Sequence, residues 1–263
     1  MPGPEIRAVS DNLLQALRFF GYARTTGEIH DLPGVSLIFC GLNYAAFNAA
    51  LLVQPVAAGD ELSRLIATSA KHFDSRNLRW TYWACDDFLD QTLRRNAAGI
   101  FQRHGLRPLT EAPGMYADAL RPPDRALPTL DVRPVADQQT RDAFAEIMAI
   151  AFDIPYSVCS AVYASEHAWK GQLSGYVGFV DGRPVTTAAT TITGDVIGLY
   201  SIATLPQYRR QGFAEAIMRK VIEQARATAG ITRTVLQSTR SGFALYQKMG
   251  YRVVTNFNVY IAD

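Results

Sequence analysis

Apolar residues recur at helical spacing from Asp11 to Phe20, and then the pattern changes. "GVSLIFCGL" and "NAALLVQPV" are short, nearly continuous apolar runs bounded by glycine, asparagine and proline, which predicts strands. "GDELSRLIATSAKHF" returns to helical spacing, with Asp60 as the expected N-cap. "LRWTYWACD" reads as a strand, and "FLDQTLRRNAAGIFQRHG" as a helix stopped by Gly105. Then the patterning lapses. From Ala117 to Pro134, "ADALRPPDRALPTLDVRP" carries four prolines with charges between them. Proline fixes φ and removes a backbone donor, so this stretch reads as an extended linker, with a domain boundary near Leu130.

Periodicity resumes at "DQQTRDAFAEIMAIAF", a helix with Asp137 as its expected N-cap. "LSGYVGFVDGRPVTTAATTI" reads as a hairpin turned at Asp181-Gly182, and Thr193-Gly194-Asp195 turns the chain again into the strand "VIGLYSIAT". A helix to about Thr228, the strand "TRTVLQST", the short helix "GFALYQKMG" and the strands of "YRVVTNFNVYI" complete the order. Strands alternating with helices in this way predict an α/β (α+β) chain built on mixed sheet.

The two halves end alike. "IFQRHGLRPLT" from Ile100 and "LYQKMGYRVVT" from Leu245 align Gln102 with Gln247, Gly105 with Gly250, Arg107 with Arg252 and Thr110 with Thr255. A strand and a helix precede each copy in the same order, which suggests two copies of one fold. Phe101 stands where the second copy has Tyr246, and the first copy's helix entry, "PVAAGDELSRL", keeps a glycine but has no arginines before it. Related copies would mean a first half that kept the architecture and lost the chemistry.

That chemistry is sought at "PQYRRQGFAEAIM", Pro206 to Met218. A strand feeding directly into a helix leaves unpaired N–H groups at the helix start, where the helix dipole favours an anion. Gly212 lets an anion approach the backbone without a Cβ in the way, and Ala214 keeps the next turn small. Arg209 and Arg210 bring forked donors suited to phosphate. Read alone, the segment is equally a solvated basic turn.

Together with its surroundings it is more specific. "IGLYSIATLPQYRRQGFAEAIM" resembles the acetyl-CoA-binding motif of the GNAT acyltransferase superfamily, a strand, a Gln/Arg-x-x-Gly-x-Gly/Ala turn and a helix, with Arg209, Gly212 and Ala214 at the defining positions. "STRSGFALYQKMGY" resembles that superfamily's second signature. The resemblance runs from about Asp131 to the end. It implies two tandem GNAT-like mixed sheets flanked by helices: a degenerate first domain over 1–120, a linker over 121–130 and an acetyltransferase domain over 131–263. It also implies transfer of an acetyl group from acetyl-CoA to an amine by direct attack. Gln207, Arg209, Arg210, Gln211, Gly212, Phe213 and Ala214 would cradle the pyrophosphate. Ile202, Ala203 and Thr204 would hold the acyl carbonyl and the pantetheine amides, and Tyr246 would serve the departing thiolate as an acid.

An unperturbed tyrosine, near pKa 10, is a weaker acid than a thiol near 8.5. Tyr246 therefore serves either through a lowered pKa or by hydrogen-bonding the sulfur. No obvious base accompanies it: the strand before the loop offers Gly198, Tyr200 and Ser201, Asp195 reads as a turn residue, and Glu166 and His167 read as an exposed face. Tyr156, Tyr163, Trp169 and Tyr176 either line an acceptor site or pack the core. An acyl-CoA-binding pseudoenzyme or sensor remains the alternative to an enzyme.

Composition narrows the partners. A net charge of +2 on 263 residues gives no ground for nucleic acid or an anionic membrane, and no apolar run is long enough to span a bilayer. Cys40, Cys85 and Cys159 are widely spaced and the four histidines scattered, so no metal site is expected and the cysteines are expected buried and reduced. "MPGPEIRAVSDNLL" has no apolar signal core, and the expected setting is cytoplasmic, with a small-molecule or peptide amine as acceptor and a monomer or homodimer as the assembly.

Overall fold

A computed structural model describes residues 2–262. The first half holds helix α1 (Pro4–Tyr22), strands β1 (Glu28–Leu32), β2 (Val35–Phe39) and β3 (Ala49–Leu52), helix α2 (Gly59–Asp74), strand β4 (Thr81–Cys85), helix α3 (Gln91–Arg103) and the long strand β5 (Leu106–Ala117). The second holds strand β6 (Asp131–Pro134), helices α4 (Gln138–Phe152) and α5 (Tyr156–Tyr163), strands β7 (Ser174–Val180), β8 (Arg183–Thr193) and β9 (Val196–Thr204), helix α6 (Phe213–Ala229), strand β10 (Arg233–Gln237), helix α7 (Phe243–Met249) and strand β11 (Arg252–Ala262).

Local chemistry accounts for most boundaries. Asp137 caps α4 in a capping box with Thr140. Asp181 and Gly182 both take positive φ, the condition for a tight two-residue hairpin turn between β7 and β8. Asp60 lies inside the first turn of α2, where its charge suits the dipole; the cap position belongs to Ala58. The sequence pattern gave no signal for β1 or α5, and "YRVVTNFNVYI" forms one bulged strand.

The mixed α/β class is as the sequence implied. The two sheets, however, are joined into one of eleven strands, in the order β1-β2-β3-β4-β11-β5-β10-β9-β8-β7-β6. The halves exchange their last strands. β5, from the first half, pairs with β10 of the second, while β11, from the second, pairs with β4 of the first. β5 and β11 lie antiparallel to each other at the centre. Their register is itself two-fold symmetric: Arg107 faces Ile261 as Arg252 faces Tyr116, and Pro108 faces Tyr260 as Val253 faces Met115. The aligned pairs Arg107/Arg252 and Thr110/Thr255 of the sequence repeat therefore occupy equivalent places about the centre. β6 has no counterpart in the first half.

Side chains seal the exchange. Phe101 of α3 stacks on Tyr260 of β11, centroids 3.7 Å apart. Phe257 of β11 is fully buried in the first half's core with Tyr82 and Phe88. α1 crosses from one half to the other: Leu13 and Leu17 enter the first core, while Phe19 packs between Tyr163 and Trp169 of the second. Tyr163 is thus a core residue, Trp169 is half-buried against the same core, and Tyr156 is exposed. All three cysteines are free and buried, and burial pushes the thiols of Cys40 and Cys159 up to about 11.

A chain joined this way unfolds as one unit. Tyr260→Ala, in the second half's last strand, is expected to cost about 3 kcal/mol and to shift a single urea transition seen alike by circular dichroism and tryptophan fluorescence. Two separated transitions in the wild type would contradict the coupling.

Candidate active site

β9 and β10 run parallel and pair only from Val196/Arg233 to Gly198/Val235. Past Gly198, β9 continues to Thr204 bonded only to β8. Its other edge is left with unpaired N–H and C=O groups, which need partners from water or a ligand. This divergence opens a cleft of about 700 Å³ between the end of β9, the start of α6 and α7.

A bulge bends β9 at this point. The pairing with β8 slips between Thr187/Ala203 and Ala189/Tyr200, and Ser201 takes φ 51°. Such a break deprives carbonyls of their ladder partners. The threonines of "VTTAATTI" replace them: Thr187 Oγ1 donates to the Ser201 carbonyl at 2.8 Å and Thr186 Oγ1 to the Ala203 carbonyl at 2.6 Å. Both threonines are fully buried, which explains polar residues in a central strand. Behind the divergence, Gly198 leaves space for Asn12 of α1, whose Oδ1 a Cβ would meet at 1.7 Å. Asn12 Oδ1 accepts from the Tyr200 hydroxyl at 2.8 Å, so the first half braces the second half's strand.

The loop after β9 is strongly shaped. Arg210 takes φ 61° and Gly212 φ 96°, a conformation that a side chain at 212 would resist. Gly212 occupies the cap position of α6 with no side-chain cap, and Ala216 N–H returns to the Gly212 carbonyl at 2.9 Å. The N–H groups of the first turn are left facing the cleft, where the helix's partial positive charge favours an anion.

The arginines differ. Arg209 donates through Nε to the Thr204 carbonyl at 3.1 Å and through Nη2 to the Ala151 carbonyl at 3.4 Å, stapling β9 to the end of α4. Arg210 is exposed. Gln207 and Gln211 are tied to each other through the Gln211 amide and the Gln207 carbonyl. Ile202, Ala203, Thr204, Arg209, Arg210, Gly212, Phe213, Ala214 and Tyr246 all line the one cleft. Glu215 also lines it, but its carboxylate is held by Arg219 at 2.8 Å.

Tyr246 lies across the other wall. It is nearly buried, and a Cβ at Gly242 would meet its ring at 2.7 Å and its hydroxyl at 3.0 Å. Gly242, which the sequence reading passed over, is what lets the phenol fold back over the start of α7. Burial pushes the phenol up to about 12. Of the two ways a tyrosine could serve a thiolate, a lowered pKa is therefore absent here.

The equivalent crevice of the first half is shut. β3 and β4 are zipped further along by a parallel bridge between Val56 and Leu89, with Val56 N–H to the Phe88 carbonyl at 2.7 Å and Asp90 N–H to the Val56 carbonyl at 3.1 Å. Gly59, at the start of α2, is covered by Ile100 and Leu93 of α3. α3 runs thirteen residues where α7 runs seven, and its extra length fills the space.

The sequence model of the acetyltransferase (GNAT) family matches residues 138–251. The [ribosomal protein bS18]-alanine N-acetyltransferase of Escherichia coli is 30% identical over 77 residues, 28% of this chain and 52% of that protein, so the match spans about half the length of the curated relative. A GCN5-related N-acetyltransferase from Kribbella flavida has the same fold across 99% of this chain and 96% of its own, with a TM-score of 0.71 at 19% identity. A tandem GNAT protein from the clavulanic acid biosynthesis pathway aligns over 96% of this chain and 94% of its own, with a TM-score of 0.56 at 11% identity.

The phenol assignment has a direct check. In ultraviolet titration, the difference between wild type and Tyr246→Phe should show no tyrosinate from this position below about pH 11, since burial raises its ionisation above the ordinary value near 10. A tyrosinate forming at or below pH 10 would contradict it.

Proposed function

We propose that this chain, a member of the GNAT superfamily through its second half, transfers an acetyl group from acetyl-CoA to an amine in the β9–β10 cleft. The observation that carries the reading is the conjunction in one cleft of an unpaired strand edge, a positive-φ glycine at an open helix N-terminus, and a buried tyrosine opposite them.

Each part has a role the chemistry requires. The open edge of β9 from Ile202 to Thr204 takes the pantetheine arm as an added strand, amide against amide. A backbone N–H there donates to the thioester oxygen as it gains charge. The α6 start, from Gln211 to Ala214, receives the diphosphate on its free N–H groups, and Arg210 adds a mobile cation. Arg209 acts through the backbone, holding the end of β9 in place.

The amine attacks the carbonyl carbon, the C–S bond breaks, and the electron pair leaves on sulfur. With its phenol raised to about 12, Tyr246 stabilises that thiolate by hydrogen bonding, full proton transfer being uphill by about 5 kcal/mol against an ordinary thiol. Glu215 is engaged by Arg219 and is a poor base. The attacking amine therefore sheds its proton to water in the cleft, or arrives unprotonated. A peptide N-terminus, with pKa near 8, meets that condition more readily than a lysine near 10.4. Small-molecule amines of low pKa meet it equally.

An acyl-CoA sensor, which binds but does not turn over, is separated from the enzyme by product formation with a panel of peptide and small amines. The enzyme reading expects acetylated product. It also expects Tyr246→Phe to lower kcat about tenfold or more with KM for acetyl-CoA nearly unchanged, as for an interaction made in the transition state. Normal turnover by that variant would remove the tyrosine from the mechanism. Gly212→Val, placing a Cβ in a positive-φ site 3.1 Å from Pro128, should abolish acetyl-CoA binding while the circular dichroism spectrum stays native. Retained affinity would remove the phosphate-loop assignment.

A further inference from the structure

Strand exchange imposes a route on the linker. β5 ends in the middle of the sheet, and β6 lies at its far edge, five strand spacings away, roughly 24 Å. The chain from Asp118 to Leu130 must therefore cross a face of the second half. It crosses the face that carries α6 and α7. Arg121 N–H donates to the Met249 carbonyl at the end of α7 at 2.8 Å, and Arg219 of α6 donates to the Arg121 carbonyl at 2.7 Å. Asp124 pairs with Lys248 at 3.3 Å. Lys220 of α6 donates to the Leu130 carbonyl. Pro122, Pro123 and Pro128 stiffen the strap between these ties.

Midway, the strap lies on the phosphate loop. Pro128, Arg125 and Leu127 are the groups nearest the open face of Gly212, at 3.1, 3.5 and 3.6 Å from where a Cβ would stand. Arg125 spends one donor, Nη2, on the Arg210 carbonyl at 3.2 Å and lines the cleft with the rest of its guanidinium exposed. No acidic side chain neutralises it among the described residues, whereas the neighbouring Asp124 is paired with Lys248. A guanidinium carries five donors in a planar fork suited to phosphate oxygens.

We infer that the linker strap is a wall of the coenzyme site, and that Arg125 is a ligand of the coenzyme's diphosphate. This rests on the reading of the cleft as an acetyl-CoA site and adds to it a residue from outside the second half's own fold. Arg209 lines the cleft too, but its Nε and Nη2 are engaged by the Thr204 and Ala151 carbonyls, so the strap adds a second cation beside it. The strand exchange sets the strap's route, because the chain must reach from the end of β5 to β6 across this face.

The test is calorimetric titration of the full-length protein with acetyl-CoA, its 3′-dephospho form and S-acetylpantetheine, for wild type, Arg125→Ala and Arg125→Lys. Arg125→Ala should weaken acetyl-CoA and the 3′-dephospho form alike, by roughly tenfold or more, the loss of a charge-assisted contact. It should leave S-acetylpantetheine, which has no diphosphate, unchanged, and Arg125→Lys should recover part of the affinity. Arg125 is exposed, so the thermal midpoint should hold within a degree or two. Acetyl-CoA affinity within twofold of wild type would overturn the inference and leave the function reading standing. A loss shared by S-acetylpantetheine, or one confined to the form bearing the 3′-phosphate, would overturn the assignment to the diphosphate. Wild type that binds none of the three would remove the function reading and this inference with it.

Discussion

The antiparallel pairing of β5 with β11 is the contact on which the rest depends. Each strand belongs by sequence to one half and by hydrogen bonding to the other. Neither half can close its sheet without the partner's last strand, because β4 and β10 would become open edges. The exchange buries the Phe101–Tyr260 stack and Phe257, brings α1 over both halves, and forces the linker across the α6/α7 face. Brace and strap follow from one topological fact.

The two halves then show what separates a scaffold from a site. They share strand order and a symmetric central register, yet one crevice is zipped by the Val56–Leu89 bridge and filled by α3. The other is held open by three devices: a bulge at Ser201, buried threonine hydroxyls that satisfy the freed carbonyls, and a seven-residue α7 that stops short. Holding a strand edge open costs hydrogen bonds, and the buried Thr186 and Thr187 show where the fold offsets that cost. In the proposed chemistry the first half takes part only at second hand, through Asn12 behind β9 and through the strap.

Local features were legible in the sequence and non-local ones were not. Gly212, the Asp181-Gly182 turn and the Asp137 cap each need only neighbouring residues, and each was found where the sequence placed it. The repeat of "QRHGLRPLT" in "QKMGYRVVT" was also legible and reappears as the symmetric register. The exchange was hidden, because an apolar strand does not specify which neighbour it pairs with. Arg209 lines the cleft, as its charge suggested, but its bonds to the Thr204 and Ala151 carbonyls were not visible in sequence. Arg125 was overlooked for the converse reason: proline-rich polar linkers look inert until the fold lays them on something. Tyr163 is buried and Trp169 packs on the edge of the core because α1, remote in sequence, arrives against them.

The central claim is that the proposed coenzyme cleft of the second half is competent and that its twin in the first half is closed. Calorimetric titration of acetyl-CoA into the purified protein tests it most directly. The account predicts binding at one site per chain. Two sites per chain would show that the first half's crevice opens after all, and no binding by the folded protein would show that the second half's cleft is a relic of the architecture.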